Sequence, residues 1–448
     1  MFRKRNTYVI GKYFPITIPN TTYCIYVANY DRITTMSGRK HIRRTILLFV
    51  EILVLVLVVG LGTVFFIAES RNREKEREDL AALAFTAEEL KGTNVSDEAA
   101  NHTDDSRYGE LLADSEKCRQ EHIYAKDTIS EDEVRLLFAG DISLAESYGH
   151  VAALYNRGGD IEQCFSTDAL ELMRDADIFM ANYECTFTTR GTPSPNKQYT
   201  LRANPDNVKY LFDMGLDVVA LANNHTYDYG EVSILDTLDT LDSVEMPYVG
   251  AGRNIAEAKK PTYFIANDMR IAIVNATQIE KLDKPDTPGA TETTPGTFRC
   301  WNDDTVCDVI REAKEVSDYV VVYVHWGEEL EETIDWAQDG LAPKLAEAGA
   351  DLIVGDHPHI LQKIDYINDV PIIYSLGNFW FNGKNRDAGV LEVVVDDGGT
   401  KTIRFIPTYE PNMTTSVAHG EDENRIMSHM RNISVNVNID DEGYVTRK

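Results

Sequence analysis

Tyr319–Gly327 reads YVVVYVHWG, an apolar and mostly β-branched run that stops abruptly at His325 and a Trp-Gly turn. No polar alternation interrupts it, and a strand reads this way when both of its faces are covered. Outward from it the same design recurs in RLLFAGD (Arg135–Asp141), ADIFMANYE (Ala176–Glu184), DVVALANNH (Asp217–His225), RIAIVNAT (Arg270–Thr277), DLIVGDHPH (Asp351–His359) and PIIYSLGNF (Pro371–Phe379). Between these runs, residues 167–175, 231–244, 303–317 and 337–348 space their apolar side chains as amphipathic helices do. Strands alternating with helices predict an α/β fold, whose ligands gather beyond the carboxyl ends of the strands. GVLEVVVDD followed by KTIRFIPTYE predicts a closing hairpin, and KLDKPDTPGATETTPG (Lys281–Gly296) predicts a loop that either overhangs a site or is a plain insertion.

Five of the strand ends carry side chains of metal-ligand type: Asp141, Glu184, Asn224 with His225, His325, and His357 with His359. Taken singly, each has a structural reading, the Asp as a helix cap and the His as a satisfied core residue. Their recurrence at strand ends is harder to explain structurally, because uncompensated buried charges are costly and a shared cation offsets that cost. A pair of cations about 3.5–4 Å apart needs a bridging carboxylate, for which Asp141 or Glu184 serves, with ligands on each side and an open edge for water. Pro358 restricts the turn between His357 and His359, so both imidazoles can reach one site. The set contains no cysteine and the chain has no C-x-x-C pair, which points to one or two ions of Mn, Fe or Zn rather than a thiolate cluster.

The formal net charge is −29, yet residues 1–45 hold nine Lys or Arg against one acid, so the 35 basic and 72 acidic residues beyond leave the rest at −37. That field repels polyanions and excludes nucleic acid as a partner. Ile46–Ala68, ILLFVEILVLVLVVGLGTVFFIA, is 23 residues long with Glu51 as its sole charge, and as a helix it spans roughly 35 Å, enough for a bilayer. Arg39, Lys40, Arg43 and Arg44 precede it and mark the cytoplasmic side. No small-residue cleavage pattern follows, so an uncleaved signal anchor in the cell membrane is expected, with the main domain extracytoplasmic. The expected division is a cytoplasmic segment 1–45, an anchor 46–68, a charged stalk 69–130, a domain 131–410 and a tail 411–448. Met36 begins a basic stretch typical of an anchor and is either the true initiator or follows a cytoplasmic tail. Cys300 with Cys307, or Cys118 with Cys164, are candidate disulfides whose connectivity stays open.

The motifs FAGDISL, MANYECTF, DVVALANNHTYDYG, VVYVHWGEE, GDHPHILQ and IIYSLGNF follow one another across Leu136–Val395. In that order they resemble the CapA family of capsule or poly-γ-glutamate synthesis proteins, within the calcineurin-like metallophosphoesterase superfamily. The resemblance implies a two-sheet β-sandwich flanked by helices, with Asp141, Glu184, Asn224, His325, His357 and His359 around one or two divalent metals. It also implies that His225 protonates a leaving oxygen or stabilises its charge. Asp228 either orients His225 or closes an Asx-turn in TYDYG. Arg202, in YTLRANP, either clamps an anionic substrate group or is a surface residue, and Asn378 either borders the site or marks the turn of SLGNF. Trp326 reads as packing. Superfamily phosphatases carry D-x-H in the first motif, where this chain has Ser143, and Glu184 stands where many relatives have a bridging Asp; the CapA pattern shares such features. The implied function is a membrane-anchored protein of capsule or polyglutamate synthesis or export, with a metal-dependent phosphoesterase-type site for a phosphoester or anionic polymer. The alternative is a non-catalytic accessory beside other capsule-synthesis membrane subunits.

Overall fold

A computed structural model of the chain describes residues 11–18, 21–28, 106–195, 197–279 and 287–448. The chain divides into two units, Met1–Leu80 and Ala81–Lys448. In the first, Gly11–Ile18 and Thr21–Ala28 pair as an antiparallel hairpin. The expected anchor Ile46–Ala68 lies outside the described residues, and no helix among the described residues is long and apolar enough to cross a membrane.

The second unit is built on two large sheets, whose strands are numbered here in chain order. They begin with β1 (Ile123–Lys126), β2 (Val134–Ile142), β3 (Ile178–Tyr183), β4 (Val218–Ala220) and β5 (Tyr248–Val249). Next come β6 (Thr262–Ala266), β7 (Met269–Thr277), β8 (Tyr319–His325), β9 (Leu352–Asp356), β10 (Ile364–Ile367) and β11 (Val370–Ile373). The last are β12 (Asn378–Trp380), β13 (Asp387–Asp396), β14 (Gly399–Tyr409) and β15 (Ser416–Val417). A seven-stranded sheet runs β10-β11-β9-β8-β7-β6-β1, and an eight-stranded sheet runs β15-β14-β13-β2-β3-β4-β5 with β12 beside β2.

Successive side chains of a strand point to opposite faces, and this divides each apolar run between two cores. Leu136 and Phe138 of β2 meet Tyr319, Val321 and Tyr323 of β8 in the core between the sheets. Leu137 and Ala139 turn outward beneath helices Gly149–Asn156, Thr167–Arg174 and Glu231–Ser243. Val320, Val322 and Val324 turn the other way, against helices Asp303–Val316 and Trp336–Ala348. The result is a mixed α/β sandwich of two sheets with helices on its outer faces.

Two expected boundaries are corrected. Residues 106–130 are not all stalk: β1 adds to the seven-stranded sheet by parallel pairing with β6, after a helix Ser115–Glu121 capped by Asp114. The expected tail 411–448 joins the fold, because helix Glu421–Ile433 buries Ile426, Met427 and Met430 against the between-sheet core, joined by Val437, Ile439 and Val445. Charge density masked both segments, since each buries only a narrow apolar stripe. Neither candidate disulfide forms: Cys307 donates to Lys344 O at 3.6 Å, and Cys118 donates to Leu111 O at 3.2 Å.

Strands β2, β3 and β4 run parallel, as do β7, β8 and β9, so in each sheet their carboxyl ends share an edge. Asp141 stands level with Asn182, His325 with Asp356, and Asn378 with Asp141. Gly140 makes the last approach feasible, because a Cβ there would lie 1.8 Å from Gly377 O, the oxygen that accepts from Asp141 N at 3.1 Å. Gly140→Ala is expected to cost about 1–3 kcal/mol or more by forcing backbone apart. Urea unfolding checks this, and an unchanged midpoint contradicts it.

Glu410, just beyond β14, is buried, and among the described residues neither of its carboxyl oxygens has a hydrogen bond of good geometry. Burial pushes its pKa up to about 8, against a smaller downward pull from the amides of Gly383 and Phe381. A raised folded pKa gives a contribution to stability that is full below the ordinary value of 4.5 and lost as pH climbs through about 8. Glu410→Gln removes the ionisation, so the variant's advantage over wild type widens from about pH 4.5 to about pH 8 and is flat above. Unfolding midpoints across that range test it, and a pH-independent difference contradicts it.

Candidate metal centre

At the shared edge, Asp141 and Glu184 are fully buried and linked through Asn182, whose amide donates to Asp141 Oδ1 at 2.9 Å and to Glu184 Oε1 at 3.1 Å. Asn182 is itself held by Asn223 Nδ2, which donates to its Oδ1 at 3.0 Å. Across the gap, His325 Nδ1 donates to Asp356 Oδ1 at 2.9 Å. That tautomer leaves a lone pair on His325 Nε2, which lies 2.8 Å from Asn224 Oδ1, 3.0 Å from His357 Nδ1 and 3.5 Å from Glu184 Oε1. His359 Nδ1 lies 2.8 Å from Asp141 Oδ2 and 2.8 Å from Asn378 Oδ1. His357 and His359 have φ of 98° and 58°, left-handed values that non-glycine residues adopt at a cost of order 1–3 kcal/mol. The surrounding bonds hold that strained HPH turn with both rings toward the same edge.

The residues fit a cation. Glu184, His325 and His357 form one group whose donor atoms lie within 4.8 Å of one another; Asp141, Glu184 and His359 form a second, and Asp141, His325 and Asp356 a third. Glu184 Oε2 and Asp356 Oδ2 are buried without a hydrogen-bond partner among the described residues, although buried carboxylate oxygens are normally satisfied. Burial, then the neighbouring Asp141 and Asp356 charges, drives the Glu184 pKa well up, and burial with Asp141 does the same to Asp356. Burial also raises Asp141, but the His359 hydrogen bond and charge outweigh it and hold that carboxyl ionised. Burial lowers His325 to about 3 and drives His357 well below the usual range, so both imidazoles are neutral donors. Carboxylate and imidazole ligand atoms crowded together in a buried site are what a bound cation reconciles.

His225 is buried beside this cluster. Its Nδ1 donates to Asp228 Oδ2 at 2.7 Å, and its Nε2 faces Glu184 Oε2 at 3.8 Å. Of the two readings of Asp228, this geometry gives it the orienting contact: Oδ2 also accepts from Leu201 N at 2.6 Å, and Oδ1 accepts from Lys197 Nζ at 2.6 Å. Burial raises the Asp228 pKa, but His225 and Lys197 together bring it below the usual carboxylate range. Arg202 is not drawn into the cluster; its exposed guanidinium lies 4.6 Å over the Tyr229 ring, next to the Asp228 turn. Trp326 is packing, with Nε1 donating to Tyr374 O at 2.9 Å.

Residues 135–383 match the family described as "Bacterial capsule synthesis protein PGA_cap", more than half of the chain. The chain belongs to this family. Its relatives include "PGA biosynthesis protein CapA" of Bacillus subtilis (strain 168), 32% identical over 293 residues, covering 62% of this chain and 72% of that protein. "Capsule biosynthesis protein CapA" of Bacillus anthracis is 30% identical over 306 residues, covering 66% and 72%. Among solved structures, the 5'-nucleotidase from Candida albicans SC5314 aligns over 61% of this chain and 54% of that one, at 10% identity and a TM-score of 0.34. That likeness is too slight to bear weight.

In this PGA_cap member, Ser143 is a scaffold group: its Oγ donates to Glu184 O at 3.1 Å, and His150 Nε2 donates to Ser143 O at 2.7 Å. Four buried groups stand at the centre beyond those expected from sequence: Asn182, Asn223, Asp356 and Lys197. Asn182 lies two residues before Glu184, hence on the same face of the strand end, and Asp356 ends β9 just before His357, so strand-end reasoning applied residue by residue reaches both. Lys197 lies in the loop GTPSPNKQYT, where nothing local marks it.

Proposed function

We propose that this chain is a membrane-anchored, metal-dependent phosphoesterase-type hydrolase of capsule or poly-γ-glutamate synthesis or export. The observation that carries the reading is the buried convergence of carboxylate, amide and imidazole ligand atoms on Glu184 and His325, with His225 Nε2 directed at it. Asp141, Glu184, Asn224, His325, His357 and His359 hold one or two ions of Mn, Fe or Zn, and Asp356 and Asn182 orient them. A divalent ion supplies Lewis acidity toward a phosphoryl oxygen and lowers the pKa of water. The chain's own part is proton management and positioning. His225, its Nδ1–H fixed on Asp228, delivers a proton from Nε2 to the departing ester oxygen. Asp228 compensates the imidazolium that precedes transfer. Arg202 stands beside this turn to steady an anionic substrate group, and Asn378 steadies His359. The substrate is a phosphoester, or a γ-glutamyl amide of an anionic polymer.

A second reading, a non-catalytic accessory in which the metal only ties the loops together, is favoured by Ser143, because that position contributes a scaffold hydroxyl rather than a ligand. Two relatives from Mycobacterium tuberculosis carry the words "Probable polyglutamine synthesis accessory protein". Hydrolysis of aryl phosphate mono- and diesters by the metal-loaded chain separates the readings, and absence of turnover leaves the accessory role.

The proposal also assigns Ile46–Ala68 as the anchor, with the basic flank inside and capsule-synthesis membrane subunits as neighbours. Protease added to intact cells is expected to remove the large domain. A domain digested only after permeabilisation contradicts that orientation.

A further inference from the structure

We propose that Lys197 is a positioning residue, one buried ammonium that holds the proton donor His225 and the metal-facing amide Asn224 in a single arrangement. The inference rests on the reading of His225 as proton donor. Lys197 Nζ lies 2.6 Å from Asp228 Oδ1, with the two side chains 5% and 0% exposed, and it also donates to the backbone carbonyl of Asn224. Thr287 Oγ1 donates to that same carbonyl at 2.7 Å. The loop that carries Lys197 is pinned to the turn by Ser194 N, which donates to Asp228 O at 2.8 Å.

An ion pair that served stability alone would engage either carboxylate oxygen. Here the two oxygens divide their work: Oδ1 takes Lys197, while Oδ2 takes His225 Nδ1 and Leu201 N. The ammonium therefore fixes the plane of the carboxylate, and the plane fixes the imidazole whose Nδ1–H it accepts. Because the same Nζ grips the Asn224 carbonyl, the residues on either side of the Asn224–His225 peptide are set relative to each other. Without the ammonium, the buried Asp228 carboxylate loses its Oδ1 partner, and both its orientation and its hold on His225 Nδ1–H weaken.

Lys197→Met, Lys197→Gln and Lys197→Arg in the full chain test this, with histidine nitrogen-15 NMR and steady-state kinetics on an aryl phosphate. In wild type the His225 signal, assigned by its absence in His225→Gln, is expected to be that of an Nδ1-protonated imidazole. In Lys197→Met it shifts toward a mixture of tautomers, kcat falls about 10- to 100-fold, and KM stays within about twofold. Lys197→Arg restores the tautomer and most of the rate. A folded Lys197→Met protein whose His225 keeps the wild-type signal overturns the proposal. If the Met variant does not fold, Lys197→Gln carries the same expectations; unfolding in both assigns Lys197 to the fold alone and also overturns it. If the wild-type chain hydrolyses no phosphate ester, the hydrolase reading fails, and the NMR result still decides the role of Lys197.

Discussion

His357→Ala combined with His359→Ala is expected to strip most of the metal from the chain while leaving it folded. The two rings stand on a strained turn, touching His325 and Asp141 respectively, so they sit in two of the three ligand groups. Loss of even an outer-shell partner costs about 10- to 100-fold in metal affinity, and removal of two direct ligands exceeds that. The core between the sheets contains neither ring, so the unfolding midpoint of the metal-free protein should change little. Metal analysis after dialysis checks this, with a circular dichroism spectrum to verify the fold. Full retention of metal contradicts the ligand assignment.

His225→Ala is expected to keep both fold and metal yet lower the hydrolysis of aryl phosphates by about 10²- to 10⁴-fold, the usual cost of losing a general acid. Its imidazole lies 3.8 Å from Glu184 and is tied to Asp228 rather than to the acceptors that crowd His325. The loss should fall on kcat, because the proton is needed only as the leaving oxygen departs. Asn224→Ala should behave differently, since its Oδ1 joins those acceptors, and metal content should fall with rate. An active wild-type enzyme whose His225→Ala variant is equally fast contradicts the proton-donor role. A chain fully loaded with metal that turns over no ester, together with His225→Ala cells that still form capsule, leaves the accessory reading.

Much of the sandwich was legible because its strands are buried on both faces. Runs such as YVVVYVH and DLIVGD have no reason to stay apolar on alternate residues unless a second layer covers them. The ends of those runs exposed the centre for the same reason, since a polar residue closing a buried strand is at the edge where ligands gather. Legibility failed where one short face is buried. β1 is four residues long with Ile123 alone buried, and the helix Glu421–Ile433 carries charge on its exposed side over a narrow apolar stripe, so neither stood out from the stalk and tail around it. Lys197 was out of reach for another reason. Its role comes from a loop folding back over Asp228, 31 residues away, and no periodicity reports a long-range ion pair. Arg202 lies apart from the cluster, over Tyr229, because the two-residue strand Arg202–Ala203 buries Ala203 and turns Arg202 outward.

Hydrolysis at this edge is proposed to depend on bound metal. The most direct test is to strip the purified chain with a chelator, restore Mn, Fe or Zn stepwise, and record bound metal and aryl phosphate hydrolysis in the same samples. Activity is expected to vanish on stripping and to return in proportion to metal bound, saturating at about one to two equivalents. Hydrolysis that ignores metal content, or a saturated chain that turns over no ester, would contradict it.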